Sequence, residues 1–200
     1  SFIVSTCSND QALRAKANEL AHKFIITDGH IDTPWKLSKN YEDISLRTKT
    51  GDFDYVRAKE GGLDVPFMAI YIPSSYLETG GAKEKADSLI DMVEQIADKD
   101  PDKFEIAYSL ADANRIFKEG KVALPMGMEN GAGIEDDINN LKHFYDRGIR
   151  YITLTHSKDN LICDSSYDED EDTWGGLSPY GRKVVKEMNR LGIMLSLIHI

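Results

Sequence analysis

His30 and Asp32 lie in the run Phe24-Ile25-Ile26-Thr27-Asp28-Gly29-His30-Ile31-Asp32-Thr33-Pro34, where an apolar, strand-like segment ends in two good metal ligands. Successive side chains of a strand alternate between faces, so an i, i+2 pair points the same way. An imidazole nitrogen beside a carboxylate oxygen suits a divalent cation. Two other apolar runs end similarly, one in the carboxylate of Glu129 and one in the imidazole of His156. Burying the Glu129 carboxylate is costly unless a cation compensates it, and a metal is the natural cation. His156 alone reads more readily as a hydrogen-bonded core or loop histidine. Together with His30, Asp32 and Glu129 on one set of strand ends, it becomes part of a pattern.

These side chains need elements that align their strands. Residues 11–23 carry Leu13, Ala17, Leu20 and Ala21 at helical spacing, with Phe24 continuing the series, and predict a first helix leading into a strand over 24–32. A polar stretch over 36–60 follows, and Gly61-Gly62 then leads into a buried strand over 63–72. The spacing predicts an amphipathic helix over 80–99, with Ala86, Leu89, Ile90, Val93, Ile96 and Ala97 on one face. A short extended piece over 104–108 precedes a helix over 109–119 that Ser109 caps and Gly120 ends. The remaining elements are a long strand over 121–129, a helix over 135–147, a strand over 149–156, and a helix over 178–191 with Ser178 and Pro179 at its start. A further strand begins at Gly192. Apolar strands alternating with helices imply an α/β fold of βα units around a parallel sheet. In a (β/α)8 TIM barrel the C-terminal ends of the strands carry the chemistry, which is where His30, Asp32, Glu129 and His156 fall.

Bulk properties narrow the class. The 200 residues, 41% of them apolar, fit one domain with a real core. A formal charge of -10, from 24 Lys and Arg against 34 Asp and Glu, argues against nucleic acid as the main partner. No stretch approaches the roughly 20 apolar residues that span a bilayer. Cys7 and Cys163 lie far apart, which speaks against a disulfide framework. Cys163 has no visible nucleophilic partner. The run Asp168-Glu169-Asp170-Glu171-Asp172 reads as a solvated loop rather than a cation site, Trp174 as a loop anchor, and His22 and His143 as surface residues. Trp35 is equally consistent with lining a pocket and with packing.

Four segments together resemble the membrane, or renal, dipeptidases of peptidase family M19, which are metal-dependent amidohydrolase-like barrels. They are Asp28-Gly29-His30-Ile31-Asp32-Thr33-Pro34, the Gly61-Gly62 pair, Gly127-Met128-Glu129-Asn130-Gly131, and Tyr151-Ile152-Thr153-Leu154-Thr155-His156 with Asn160 following. The resemblance runs from about Phe24 to Met194. It implies a zinc dipeptidase in which His30 and Asp32 bind one Zn2+ ion, Glu129 bridges it to a second, and His156 contacts the dipeptide substrate. A bridging carboxylate of this kind holds two cations roughly 3.5–4 Å apart, and the water between them is acidified enough to attack a peptide carbonyl. Asn130 stands where the family commonly has Gly, a departure that touches local loop shape. The family's proton-transferring Asp, its substrate-carboxylate Arg and one second-metal His fall later than residue 200.

The two ends of the sequence carry expectations of their own. Residues 1–10 resemble the end of a lipoprotein signal, with lipidation at Cys7 and an extracytoplasmic, membrane-anchored location; an ordinary cysteine in a cytoplasmic protein is the alternative. Residues 11–194 are then an incomplete N-terminal portion of the barrel, because its five long strands and one short one fall short of eight. Residues 195–200 read as a non-native tail, which would make the position of His199, where the family has a second-metal ligand, accidental. A homodimer is left open. The competing functional readings are another amidohydrolase-type metal hydrolase acting on cyclic amides or phosphoesters, and a non-catalytic fragment.

Overall fold

The computed structural model describes residues 3–168 and 172–197, with side chains from residue 10 onward. The chain runs α1 (Ile3–Lys23), β1 (Ile26–Ile31), α2 (Thr33–Lys39), α3 (Tyr55–Gly61), β2 (Leu63–Tyr71), α4 (Tyr76–Thr79), α5 (Ala82–Lys99), β3 (Phe104–Ile106) and α6 (Leu110–Lys118). It continues through β4 (Val122–Leu124), β5 (Met126–Glu129), a 3-10 turn (Gly131–Ile134), α7 (Asn139–Asp146), β6 (Ile149–Thr153), α8 (Pro179–Leu191) and β7 (Met194–Ser196).

Five strands form one parallel sheet in the order β1-β2-β5-β6-β7. Strand order follows chain order, as right-handed βα crossovers produce. The apolar face of α5, with Ala86, Leu89, Ile90 and Val93 buried, shares one core with Met68 and Ile70 of β2 and Met128 of β5. Removing these side chains from water is the main force holding the layers together.

Local chemistry explains where the elements depart from the expected ones. The strand expected over 121–129 divides at Pro125, which has no N–H to give to a ladder. Its upper half, β5, pairs with β2 and β6, while β4 pairs with β3 in a separate two-stranded sheet. The Pro125 carbonyl still accepts from the Met68 N–H at 2.8 Å. The polar stretch over 36–60 holds α3 and the end of α2. The Asp54 carboxylate caps α3 by accepting the Arg57 backbone N–H at 2.8 Å. The helix expected over 135–147 begins only at Asn139, after the 3-10 turn, and the strand over 149–156 ends at Thr153.

The helix α1 extends back to Ile3, and its expected apolar face remains exposed at Leu13 and Leu20, as does Phe24 just beyond it. Ser1, Phe2, the Cys7 side chain, Glu169 to Glu171 of the acidic run, and Ile198, His199 and Ile200 lie outside the described residues.

Candidate metal centre

His30 and Glu129 reach the same end of the sheet from β1 and β5, with β2 between them. Nε2 of His30 is 3.0 Å from Oε2 of Glu129 and 3.3 Å from Oδ1 of Asp32. One ligand atom from each of the three residues lies within 4.8 Å of the other two. The His30 and Glu129 side chains are only 9% and 4% exposed, whereas that of Asp32 is 67% exposed.

Strand alternation is not what aligns His30 with Asp32. The β1 register shifts between Asp28 and Ile31, the strand ends at Ile31, and Asp32 takes the N-cap position of α2. The pair converges because the chain turns from strand to helix between them.

Glu129 divides its two oxygens. Oε2 faces His30, and Oε1 is 3.3 Å from Nε2 of His156. His156 reaches inward from the loop after β6, its ring 5.0 Å from that of Tyr71 at the end of β2. Trp35 packs edge-on against Tyr71 at 5.1 Å and lines a cavity on that ring, so both roles expected of it are present. The structure thus brings all four candidates together.

Tyr151 belongs to this site and was not among the expected residues. Its hydroxyl is 2.8 Å from Nδ1 of His30. The ring lies over Gly127, where a Cβ would come within 2.1 Å of it. The signal available was register, since Gly127 and Tyr151 are direct partners between β5 and β6, a small residue opposite a large one. Burial, reinforced by Glu129 and Asp32, pushes the Tyr151 phenol above its ordinary range, so it stays protonated. Burial alone would lower the His30 pKa, but hydrogen bonding and charge from Glu129, then Asp32, outweigh it and raise the value.

One imidazole and two carboxylates form a donor set that fits a borderline divalent cation such as zinc. A cation would also compensate the charge on the buried Glu129 carboxylate, flanked by His30 and His156.

Around this centre, Asn130 adopts a positive φ of 77° and is fully buried. Its side chain donates to the Ile72 carbonyl at 2.9 Å and accepts from the Ala132 N–H at 3.1 Å and the Asn160 amide at 3.2 Å. Trp174 donates its indole N–H to the Asn160 carbonyl at 2.9 Å, in keeping with the anchoring expected of it. Cys163 is buried and its thiol pKa is raised by that burial, which suits a packing role. His22 is exposed, while His143 is only half-buried and pairs with Asp87 at 2.7 Å.

The family model described as membrane dipeptidase (peptidase family M19) matches residues 14–200. The chain belongs to this family. Among its relatives, it is 33% identical to an uncharacterised dipeptidase of Schizosaccharomyces pombe, over 92% of this chain and 48% of that protein. Dipeptidase 3 of Mus musculus is 29% identical over 96% of this chain and 39% of its own length. The probable dipeptidase PvdM from Pseudomonas aeruginosa superposes with a TM-score of 0.81 at 26% identity, covering 93% of this chain and 49% of that one. A metallopeptidase from Rhodobacter sphaeroides, solved with a phosphinate mimic of the dipeptide L-Ala-D-Ala, gives 0.75 at 26% identity, over 88% and 59%. The chain spans about half the length of the curated relatives it matches. Its curled parallel sheet is a half-barrel, a portion of the larger α/β fold of the membrane dipeptidases, as the strand pattern led us to expect.

Proposed function

We propose that the whole protein is a zinc-dependent dipeptidase, hydrolysing the peptide bond of dipeptides at a two-metal site. In this reading His30 and Asp32 hold one ion, Glu129 bridges to the second, and His156 binds substrate. The observation that carries it is the division of the Glu129 carboxylate, with one oxygen 3.0 Å from His30 and the other 3.3 Å from His156. When bound, zinc would supply an acidified water and polarise the scissile carbonyl.

The chain's own residues do the positioning. Tyr151 holds the His30 ring from behind, which fixes the face that His30 presents to Asp32 and Glu129. Packed against Tyr71, His156 can present an N–H to the substrate carbonyl from the rim of the site. Trp35, packed edge-on against Tyr71, backs the ring on which His156 rests. A dipeptide as substrate is supported by the ligand of the Rhodobacter sphaeroides metallopeptidase and by the names of the relatives.

Elemental analysis and peptide hydrolysis by the whole protein test this reading. We expect two zinc ions per chain, chelator-sensitive hydrolysis of dipeptides, and loss of activity in Glu129→Gln. Absence of zinc, or activity that survives the substitution, overturns it. The lipoprotein-like leader and the family's description as membrane dipeptidases support an extracytoplasmic protein lipidated at Cys7. Among the described residues no helix is long and apolar enough to cross a membrane. Metabolic labelling with palmitate, lost in Cys7→Ser, tests the anchor, and sedimentation tests assembly as a homodimer.

A further inference from the structure

Beside the metal centre, two lysines converge on one aromatic ring. Lys39 follows Trp35 by four residues across the end of α2, a spacing that puts both on one helix face. Its Nζ sits 4.2 Å from the centre of the Trp35 ring. Lys85, in the first turns of α5, brings its Nζ to 5.3 Å from the same ring. Between them opens a cavity of about 470 Å³ lined by Trp35, Lys39, Tyr71, Ser75, Tyr76 and Lys85. Its wall is continuous with the metal centre, because the Tyr71 ring that closes it also packs on His156.

The charge pattern here is the reverse of that of the chain as a whole. In a protein of net charge -10, several half-buried lysines meet carboxylates, as Lys83 meets Asp87 at 2.7 Å and Lys121 meets Glu105 and Glu119 at 3.1 Å each. Among the described residues, neither Lys39 nor Lys85 has an ion-pair partner. Burial, and then the charge of Lys39, lower the pKa of Lys85, so the two ammonium groups repel each other across the ring. One indole can favour both cations through its face but cannot neutralise them. A carboxylate between them would.

We infer that Lys39 and Lys85 form a subsite for an anionic side chain of the substrate, so that the protein prefers dipeptides carrying an acidic residue. The inference deepens the dipeptidase reading and rests on it. The cavity takes a side chain of aspartate or glutamate size, and its shared wall with His156 places that side chain next to the peptide bond to be cleaved.

The test compares isosteric pairs, Glu-Ala with Gln-Ala and Ala-Glu with Ala-Gln, on the whole zinc-loaded protein at low salt. In one of the two pairs kcat/KM should favour the acid by about tenfold, the scale of two partly exposed ion pairs. The preference should fall to about one in K39M/K85M and persist in K39R/K85R. Reading a ratio cancels any general loss in the variants. A wild-type ratio near one in both pairs, or a preference that survives K39M/K85M, overturns the inference. A third arm, Ala-Ala against its C-terminal amide, separates the two sources of carboxylate. If the double variant changes that ratio and not the acid-amide ratio, the lysines hold the main-chain carboxylate and the side-chain assignment fails. If no dipeptide is hydrolysed, the dipeptidase reading fails by itself. Calorimetric binding of Glu-Ala against Gln-Ala to wild type and K39M/K85M then decides the subsite by the same ratio.

Discussion

The hydroxyl of Tyr151 stands 2.8 Å from Nδ1 of His30, on the ring nitrogen opposite the one that faces Asp32 and Glu129. When the phenol oxygen accepts the Nδ1–H, Nε2 keeps its lone pair for a cation. The raised pKa of Tyr151 keeps a charged phenolate from competing for that role. Removing the hydroxyl frees the ring to choose the other tautomer. We therefore expect Tyr151→Phe to weaken metal affinity by about 10- to 100-fold, the scale found for the outer partners of metal-bound histidines. Chelator competition on the whole protein measures it, and unchanged affinity would remove Tyr151 from the site.

Gly127 is the floor beneath that tyrosine. An added Cβ would sit 2.1 Å from the ring, so Gly127→Ala must push Tyr151 off its place or bend β5. We expect a loss of about 2 kcal/mol of stability from overpacking, together with weaker metal binding. A denaturant titration run alongside chelator competition separates the two effects. Destabilisation with metal affinity intact would show that the tyrosine's position does not matter to the centre.

Asn130 combines a positive φ with three side-chain hydrogen bonds. Glycine tolerates the backbone but loses the bonds, whereas alanine loses both advantages. Asn130→Ala should therefore be less stable than Asn130→Gly by about 1 kcal/mol. Equal stability of the two variants in urea unfolding would show that φ carries no strain here.

Asp54 is fully buried and accepts hydrogen bonds from the Arg57 N–H at 2.8 Å, the Thr48 N–H at 3.1 Å and the Arg57 guanidinium at 2.6 Å. Burial would raise its pKa, but these donors and the charge of Arg57 outweigh that and lower it. The folded pKa lies below the unfolded value of about 3.9, so the contribution is complete above roughly pH 4 and disappears as pH falls through the folded value. Asp54→Ala should cost about 3 kcal/mol at pH 7, and the gap from wild type should narrow in acid. A gap that stays constant from pH 7 to pH 3 would contradict the assignment.

The four candidate residues that the structure brings together were legible because polar side chains that end apolar strands are conspicuous. Their geometry was less so. His30 and Asp32 do meet, but through a strand-to-helix turn that alternation does not describe, although Pro34 in the first turn of α2 marked a helix start. The break between β4 and β5 was missed, because the apolar run over 121–129 outweighed Pro125, whose absent N–H cannot serve a continuous ladder. α1 shows the limit of periodicity, which reports an apolar face without saying what covers it; Leu13 and Leu20 remain exposed. Tyr151 was hidden because its partner His30 lies across the sheet, and only strand register reveals such pairings.

His30 and Glu129 come from strands that do not touch, with β2 lying between them. Sequence-distant groups of this kind cannot meet in an unfolded chain without paying the full closure entropy of the intervening loop. The triad is thus a gauge of assembly, since a metal held by it grips the sheet like a clamp across three strands. Loading should then raise the melting temperature of the sheet in step with metal concentration, and calorimetry at graded free zinc would read that rise.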